Sequence, residues 1–118
     1  MILLLISLAL ATPGPDAPRS LKGVEVPNAI VRQHNAYALC QDGHFDIRRV
    51  HDQESFIAEA DKAINACKDR KATLMRQAEK VLASAPDYAD EARRQRAISE
   101  AFDGYDEMRR EMARAAPR

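Results

Sequence analysis

Apolar side chains recur at helical spacing over residues 53–83, and this repeat constrains the fold more than any other feature of the chain. Asp52 stands just before the repeat, where a short polar side chain caps the first turn of a helix. We therefore expect one helix that runs without a break to about Ala83. Such a stripe must be buried against other elements, and the repeats described below supply helices for that purpose. The chain is therefore predicted to be all-α. The stripe consists of Phe56, Ala60, Ile64, Cys67, Leu74, Ala78 and Leu82.

A second helical repeat over residues 87–115 predicts a partner for the first. The turn between them is the sequence SAPD, in which Ser84 is a candidate N-cap and Pro86 is allowed in a first helical turn. Gly104 weakens the helix locally by about 1 kcal/mol relative to alanine. The two repeats together predict a long antiparallel helical hairpin. The apolar face of the second one contains Ile98, Ala101 or Phe102, Tyr105, Met108 and Met112.

A shorter helix over residues 28–41 is predicted to pack on this hairpin. Its inner face contains Ile30, His34, Tyr37 and either Cys40 or Gln41. Gly43 is expected to end it. Residues 28–116 thus form one helical domain. No strand is predicted, since period-two alternation is confined to the short sequence GVEV.

The N-terminal segment has the pattern of a secretory signal peptide, with an apolar run from Ile2 to Ala11 followed by the helix-breaking sequence TPGPDAP. Ala9 and Ala11 supply the small residues that signal peptidase recognises. A run of about ten apolar residues is too short for a membrane anchor, which needs ~20 in a helix. We expect residues 1–11 to be removed, residues 12–27 to form an extended proline-rich leader, and the protein to be exported, either periplasmic or secreted. No later stretch is apolar enough to form an integral membrane span.

Cys40 and Cys67 are the only cysteines, and each lies on the inner face of its predicted helix. In an exported protein this pattern indicates a disulfide. Closing the loop between them would stabilise the fold by about 3–4 kcal/mol. The alternative is a redox-active or metal-binding pair, although the spacing differs from the C-x-x-C motif that such chemistry usually uses.

The stretch between these cysteines is rich in metal-ligand residue types, among them Asp42, His44, Asp46 and His51. Their order fits neither a calcium loop nor an i,i+4 pair of zinc-binding histidines. We interpret the stretch as a polar connector, in which Asp46 can meet Arg70 or Lys71, the basic residues that interrupt the long apolar stripe. The alternative is a periplasmic metal-binding or metal-sensing protein that uses these four side chains.

The sequence contains no nucleophile with a base positioned beside it, and no cofactor motif is found. Its 18 basic and 18 acidic residues give a net charge of zero, which argues against nucleic acid as a partner. We expect a non-enzymatic exported protein of the bacterial envelope that binds an unknown protein partner or itself. A small hydrolase is a third and weaker hypothesis. Methionine-rich helical faces form adaptable binding surfaces, so the predicted partner-binding residues are Tyr105, Met108 and Met112.

The export prediction is tested by the mass of the mature chain. Protein recovered from its native compartment should begin at Thr12 or within a few residues of it, because signal peptidase cuts after the small residue Ala11. Intact-mass measurement decides the question. A mature chain that retains Ile2 to Ala11 would contradict export by this route.

Overall fold

The computed structural model of the protein describes residues 19–21 and 24–116. The predicted signal peptide of residues 1–11 and most of the leader of residues 12–27 lie outside the described residues. Strands and helices follow in the order β1 Arg19–Leu21, β2 Val24–Val26, α1 Val31–His44, α2 Gln53–Ala66, α3 Lys68–Ala83 and α4 Glu91–Arg114. Short 3₁₀ turns occupy Asn28–Ile30, Ile47–Arg49 and Pro86–Tyr88.

The helices pack together as the sequence predicts, with α2 and α3 on one side of the hairpin, α4 on the other and α1 against them. The all-α fold class is confirmed. The large buried side chains include Tyr37, Leu74 and Phe102, each no more than 2% exposed. Several buried alanines lie where helices approach one another closely, namely Ala60, Ala63, Ala78, Ala101 and Ala113. Among the described residues, no helix has both the length and the apolar composition that crossing a bilayer requires.

The prediction of one unbroken helix over residues 53–83 is wrong, because the helix breaks at Cys67. The backbone N–H of Cys67 donates to the carbonyls of Ala63 at 3.2 Å and Ile64 at 3.3 Å, which closes α2. The carbonyl of Cys67 accepts from Lys71 N at 2.8 Å and opens α3. The apolar stripe is interrupted just beyond this point, at Arg70 and Lys71.

The ends of the other helices also differ from the sequence prediction. Helix α4 begins at Glu91 rather than at residue 87, and its N-cap is Asp90, not Ser84. The Asp90 side chain accepts from Arg93 N at 2.9 Å. Helix α1 continues past Gly43 to His44. The predicted cap at Asp52 is confirmed, and it forms a reciprocal capping box with Ser55.

The end of the leader contains a strand that packs on the core, which corrects the prediction of no strand. β2 pairs with β1 in antiparallel register. Val24 and Val26 are each 2% exposed, whereas Glu25 between them is exposed. The short alternation in GVEV is therefore a strand that buries one face. It lies on α4, where the Val24 methyl groups come within 4.0 Å of the position that a Cβ at Gly104 would take.

The predicted disulfide is present. It joins Cys40 in α1 to Cys67 at the break between α2 and α3, with Cα atoms 6.1 Å apart. This distance lies within the ordinary range of about 4.4–6.8 Å. The bond closes a loop that contains the end of α1, the connector and all of α2.

We expect removal of this bond to lower the thermal midpoint markedly. In the Cys40→Ala/Cys67→Ala double variant the midpoint should fall by roughly 12–30 °C, because the unfolded chain regains the entropy of an open loop worth about 3–4 kcal/mol. Differential scanning calorimetry measures the change, with chemically reduced wild-type chain as the matched comparison. The native oxidised chain should show no thiol that reacts with Ellman's reagent; two reactive thiols would contradict the assignment.

Candidate functional site

An apolar groove of about 440 Å³ runs along the C-terminal half of α4. Its volume lies in the range of about 300–1,000 Å³ that is typical of ligand-binding clefts. Two polar side chains, Asp42 and Arg109, lie at its edge. The apolar side chains that line the groove are Phe45, Phe56, Tyr105, Met108 and Met112. We call this surface the α4 groove.

One wall of the α4 groove is the stripe Tyr105, Met108 and Met112, which the sequence singled out. Their spacing of three and four places them on one face of α4. Tyr105 is supported from beneath by the ring of His34, whose centroid lies 5.2 Å away at an interplanar angle of 90°. Met112 is 41% exposed, so the groove opens to solvent at this end.

The opposite wall consists of Phe45 and Phe56, whose rings meet edge to face with centroids 5.6 Å apart. Phe45 follows α1 directly, and Phe56 lies in the first turn of α2. The helical repeat in the sequence places Phe56 on an inner face, but no sequence pattern indicates Phe45. A single aromatic residue in a polar connector has no periodic pattern around it, so only the tertiary structure assigns it to the groove.

Arg109 holds the two walls together. Its guanidinium carbon lies 5.5 Å from the ring centroids of both Phe45 and Tyr105. It donates to Tyr105 Oη at 3.1 Å and pairs with the carboxylate of Asp42. Burial opposes its charge, but these two partners raise its pKa, so the side chain remains a cation. Its buried Nε has no hydrogen-bond partner among the described residues.

A buried polar cluster lies on the inner side of α4, next to the groove. Asp106, which is 5% exposed, accepts from Tyr37 Oη at 2.5 Å and from Gln41 Nε2 at 2.7 Å. Its second oxygen pairs with Lys71 Nζ at 2.9 Å, and Lys71 also donates to Asp103 at 2.5 Å. Burial and the adjacent Asp106 carboxylate raise the pKa of Tyr37, so the phenol keeps its proton.

His34 is buried and hydrogen-bonded, as its place on the inner face of α1 suggests. It is 2% exposed, and its Nε2 lies 3.2 Å from the carbonyl oxygen of Ala101. Burial lowers its pKa, so the ring is neutral and Nε2 carries the donated proton. This histidine therefore supports the groove from below and does not open onto it.

The four residues of the predicted alternative metal site lie in different local arrangements. The Asp42 carboxylate pairs with Arg109, whereas His51 lies just before α2, where its backbone N–H donates to Ser55 Oγ at 2.9 Å. Within the described part of the chain, His44 groups instead with Cys40 and Cys67. The set His44, His51, Asp42 and Asp46 is thus not brought to one place.

Asp46 does not meet Arg70 or Lys71, contrary to the sequence-based interpretation. Its carboxylate pairs with Arg48 at 3.0 Å and with Arg49 at 3.5 Å, both in the 3₁₀ turn that follows it. Hydrogen bonds from Arg48 lower its pKa. Lys71 turns inward to Asp106 instead, since a cation there offsets the charge of a buried carboxylate.

Comparison with known proteins finds no match for this chain among protein-family models, curated proteins or solved structures. The proposed function therefore rests on the geometry of the α4 groove and of the buried polar cluster beside it.

The polar cluster should matter more to stability than an exposed ion pair of the same helix. In the Asp106→Asn variant a neutral amide, whose NH2 is itself a donor, faces the donors of Tyr37, Gln41 and Lys71. We therefore expect the free energy of unfolding to fall by about 3 kcal/mol. Asp103→Asn is the matched control: its side chain is 55% exposed, and the loss should stay below about 1 kcal/mol. Urea unfolding of both variants measures the difference, and equal losses would contradict this role for Asp106.

Proposed function

We propose that this protein is a non-enzymatic binding protein whose α4 groove takes up an apolar segment of another protein. The observation that carries the proposal is the groove itself, in which three α4 side chains face two phenylalanines across a preformed cleft. Aromatic residues, methionine and arginine are the types enriched where proteins bind one another. Methionine side chains also adapt their shape to that of a partner.

The chemistry of Arg109 defines the occupant further. Its guanidinium lies against the apolar walls as a cation, and its Nη2 donates to Asp42 and Tyr105. A carboxylate is the acceptor that a guanidinium binds most strongly, so an acidic residue of a bound segment would compete for this cation with Asp42, whose side chain is 61% exposed. The partner segment we propose therefore carries an apolar anchor residue with an acidic residue close to it.

The titratable groups around the groove support binding rather than catalysis. His34 Nε2 is engaged with the Ala101 carbonyl, and Asp106 already accepts from three donors. These groups hold the helices in place. The contacts of Arg109 with Tyr105 and Asp42 fix the groove in the shape that an apolar segment needs before it binds, which lowers the entropic cost of binding.

We also propose that the protein is exported. Two features support this: the apolar run Ile2 to Ala11 in the sequence, and the Cys40–Cys67 disulfide, a bond that persists mainly in oxidising compartments. A bacterial envelope is the setting in which a small disulfide-bonded binding protein of this kind would meet its partner.

Peptide selection on the purified, oxidised chain tests the groove. Peptides selected from a random displayed library should share an apolar anchor next to an acidic residue. One selected peptide, fluorescently labelled, is then titrated with protein and followed by anisotropy. Met112→Asp should weaken its binding at least about tenfold, equivalent to about 1.4 kcal/mol, because a carboxylate then lies in the groove.

Leu39→Asp is the matched control, since Leu39 is 70% exposed on α1 and does not line the groove. This variant should bind the peptide as the wild type does. Equal binding by the Met112→Asp variant would contradict the proposal. So would sedimentation velocity showing a wild-type dimer that Met112→Asp dissociates, because the groove would then be occupied by a second copy of this chain.

A further inference from the structure

The disulfide has a histidine beside it. His44 follows Cys40 by one helical turn in α1, and Cys67 lies opposite them at the break between α2 and α3. The two sulfurs and a ring nitrogen of His44 all lie within 4.8 Å of one another. Among the described residues, this is the one group of histidine, cysteine and acidic side chains whose ligand atoms come together closely enough to share a metal ion.

We propose that reduction of the Cys40–Cys67 disulfide turns this group into a binding site for a thiophilic divalent cation of the zinc class. The ligands are the two cysteine sulfurs and the imidazole of His44. This inference is independent of the α4 groove, and its ligand set differs from the His44, His51, Asp42 and Asp46 set considered from the sequence.

The distances suit a tetrahedral site. Zinc lies about 2.3 Å from sulfur and about 2.0–2.1 Å from imidazole nitrogen, so tetrahedral angles put two sulfurs about 3.8 Å apart and sulfur and nitrogen about 3.6 Å apart. Breaking the S–S bond lets the sulfurs separate to that spacing by side-chain rotation, with the Cα atoms 6.1 Å apart. Three protein ligands leave a fourth position for water.

The reaction balances in electrons, protons and charge. A dithiol reductant gives two electrons and two protons to the disulfide, which yields two cysteine thiols and an oxidised reductant. The cation then displaces both thiol protons. Two thiolates neutralise its double positive charge, and neutral imidazole adds a nitrogen ligand without further charge.

The backbone at Cys67 is held by hydrogen bonds that do not involve its sulfur. Cys67 lies where α2 ends and α3 begins, and its N–H and C=O bond to Ala63, Ile64 and Lys71. His44 is exposed, so a cation can reach the site from solvent while Cys67 is fully buried.

Cobalt titration of the full chain reduced with a phosphine tests the proposal. Bound Co²⁺ should show thiolate charge-transfer and tetrahedral d–d absorption at one ion per chain, and zinc should bleach both. The oxidised chain should show neither band. His44→Ala should weaken cobalt binding at least about tenfold, as expected for the loss of a ligand. His51→Ala is the matched control and should bind as the wild type does.

The thermal midpoint distinguishes a zinc site in the folded protein from non-specific binding of zinc to the cysteine thiols. Zinc should raise the midpoint of the reduced wild-type chain, because a cation that binds the folded state stabilises it. Equal cobalt affinity in His44→Ala and wild type would overturn the proposal. Loss of helical circular dichroism in the reduced metal-free chain, with no recovery on zinc addition, would overturn it as well.

Discussion

The arrangement of the helices depends on the hydrogen bonds that the buried carboxylate of Asp106 accepts. This carboxylate lies on α4 and accepts hydrogen bonds from Tyr37 and Gln41 on α1 and from Lys71 on α3. A buried charge is costly unless it is paired and hydrogen-bonded, and here every donor comes from another helix. A change in the rotation or position of any of these helices would leave that charge without a partner. In a core without tryptophan, such a polar cluster defines one packing where apolar contacts alone would allow several.

This constraint explains why the α4 groove has a defined shape. With Asp106 held inward, the neighbouring Tyr105 and Met108 lie on the face of α4 that lines the groove. His34 supports Tyr105 from below, and Arg109 spans from Tyr105 to Phe45. The proposed binding surface is therefore built on side chains that packing and hydrogen bonds already hold, which is what a binding site needs in order to lose little entropy when it is occupied.

The end of α1 serves both proposed sites. Within six residues it supplies a disulfide cysteine, the rim carboxylate of the groove, the histidine beside the disulfide and one aromatic wall: Cys40, Asp42, His44 and Phe45. Cys40 and His44 lie one helical turn apart and face the disulfide, whereas Asp42 and Phe45 line the groove, because a helix turns by about 100° per residue. The disulfide anchors this segment to the α2–α3 break.

The sequence by itself determined the local features, namely three helical repeats with their inner faces and the cap at Asp52. It also indicated the disulfide, because the two cysteines both lie on inner faces and can therefore pair with each other. These follow from periodicity and residue chemistry within one segment. Only the tertiary structure decided the break at Cys67, the burial of Val24 against α4 and the inward turn of Lys71. It also placed Phe45 in the groove that Met108 and Met112 line. Each of these depends on contacts between segments far apart in the chain, such as that between Tyr37 and Asp106, and helical spacing carries no information about long-range contacts. Those contacts are determined by close packing and by the cost of leaving a buried charge unpaired.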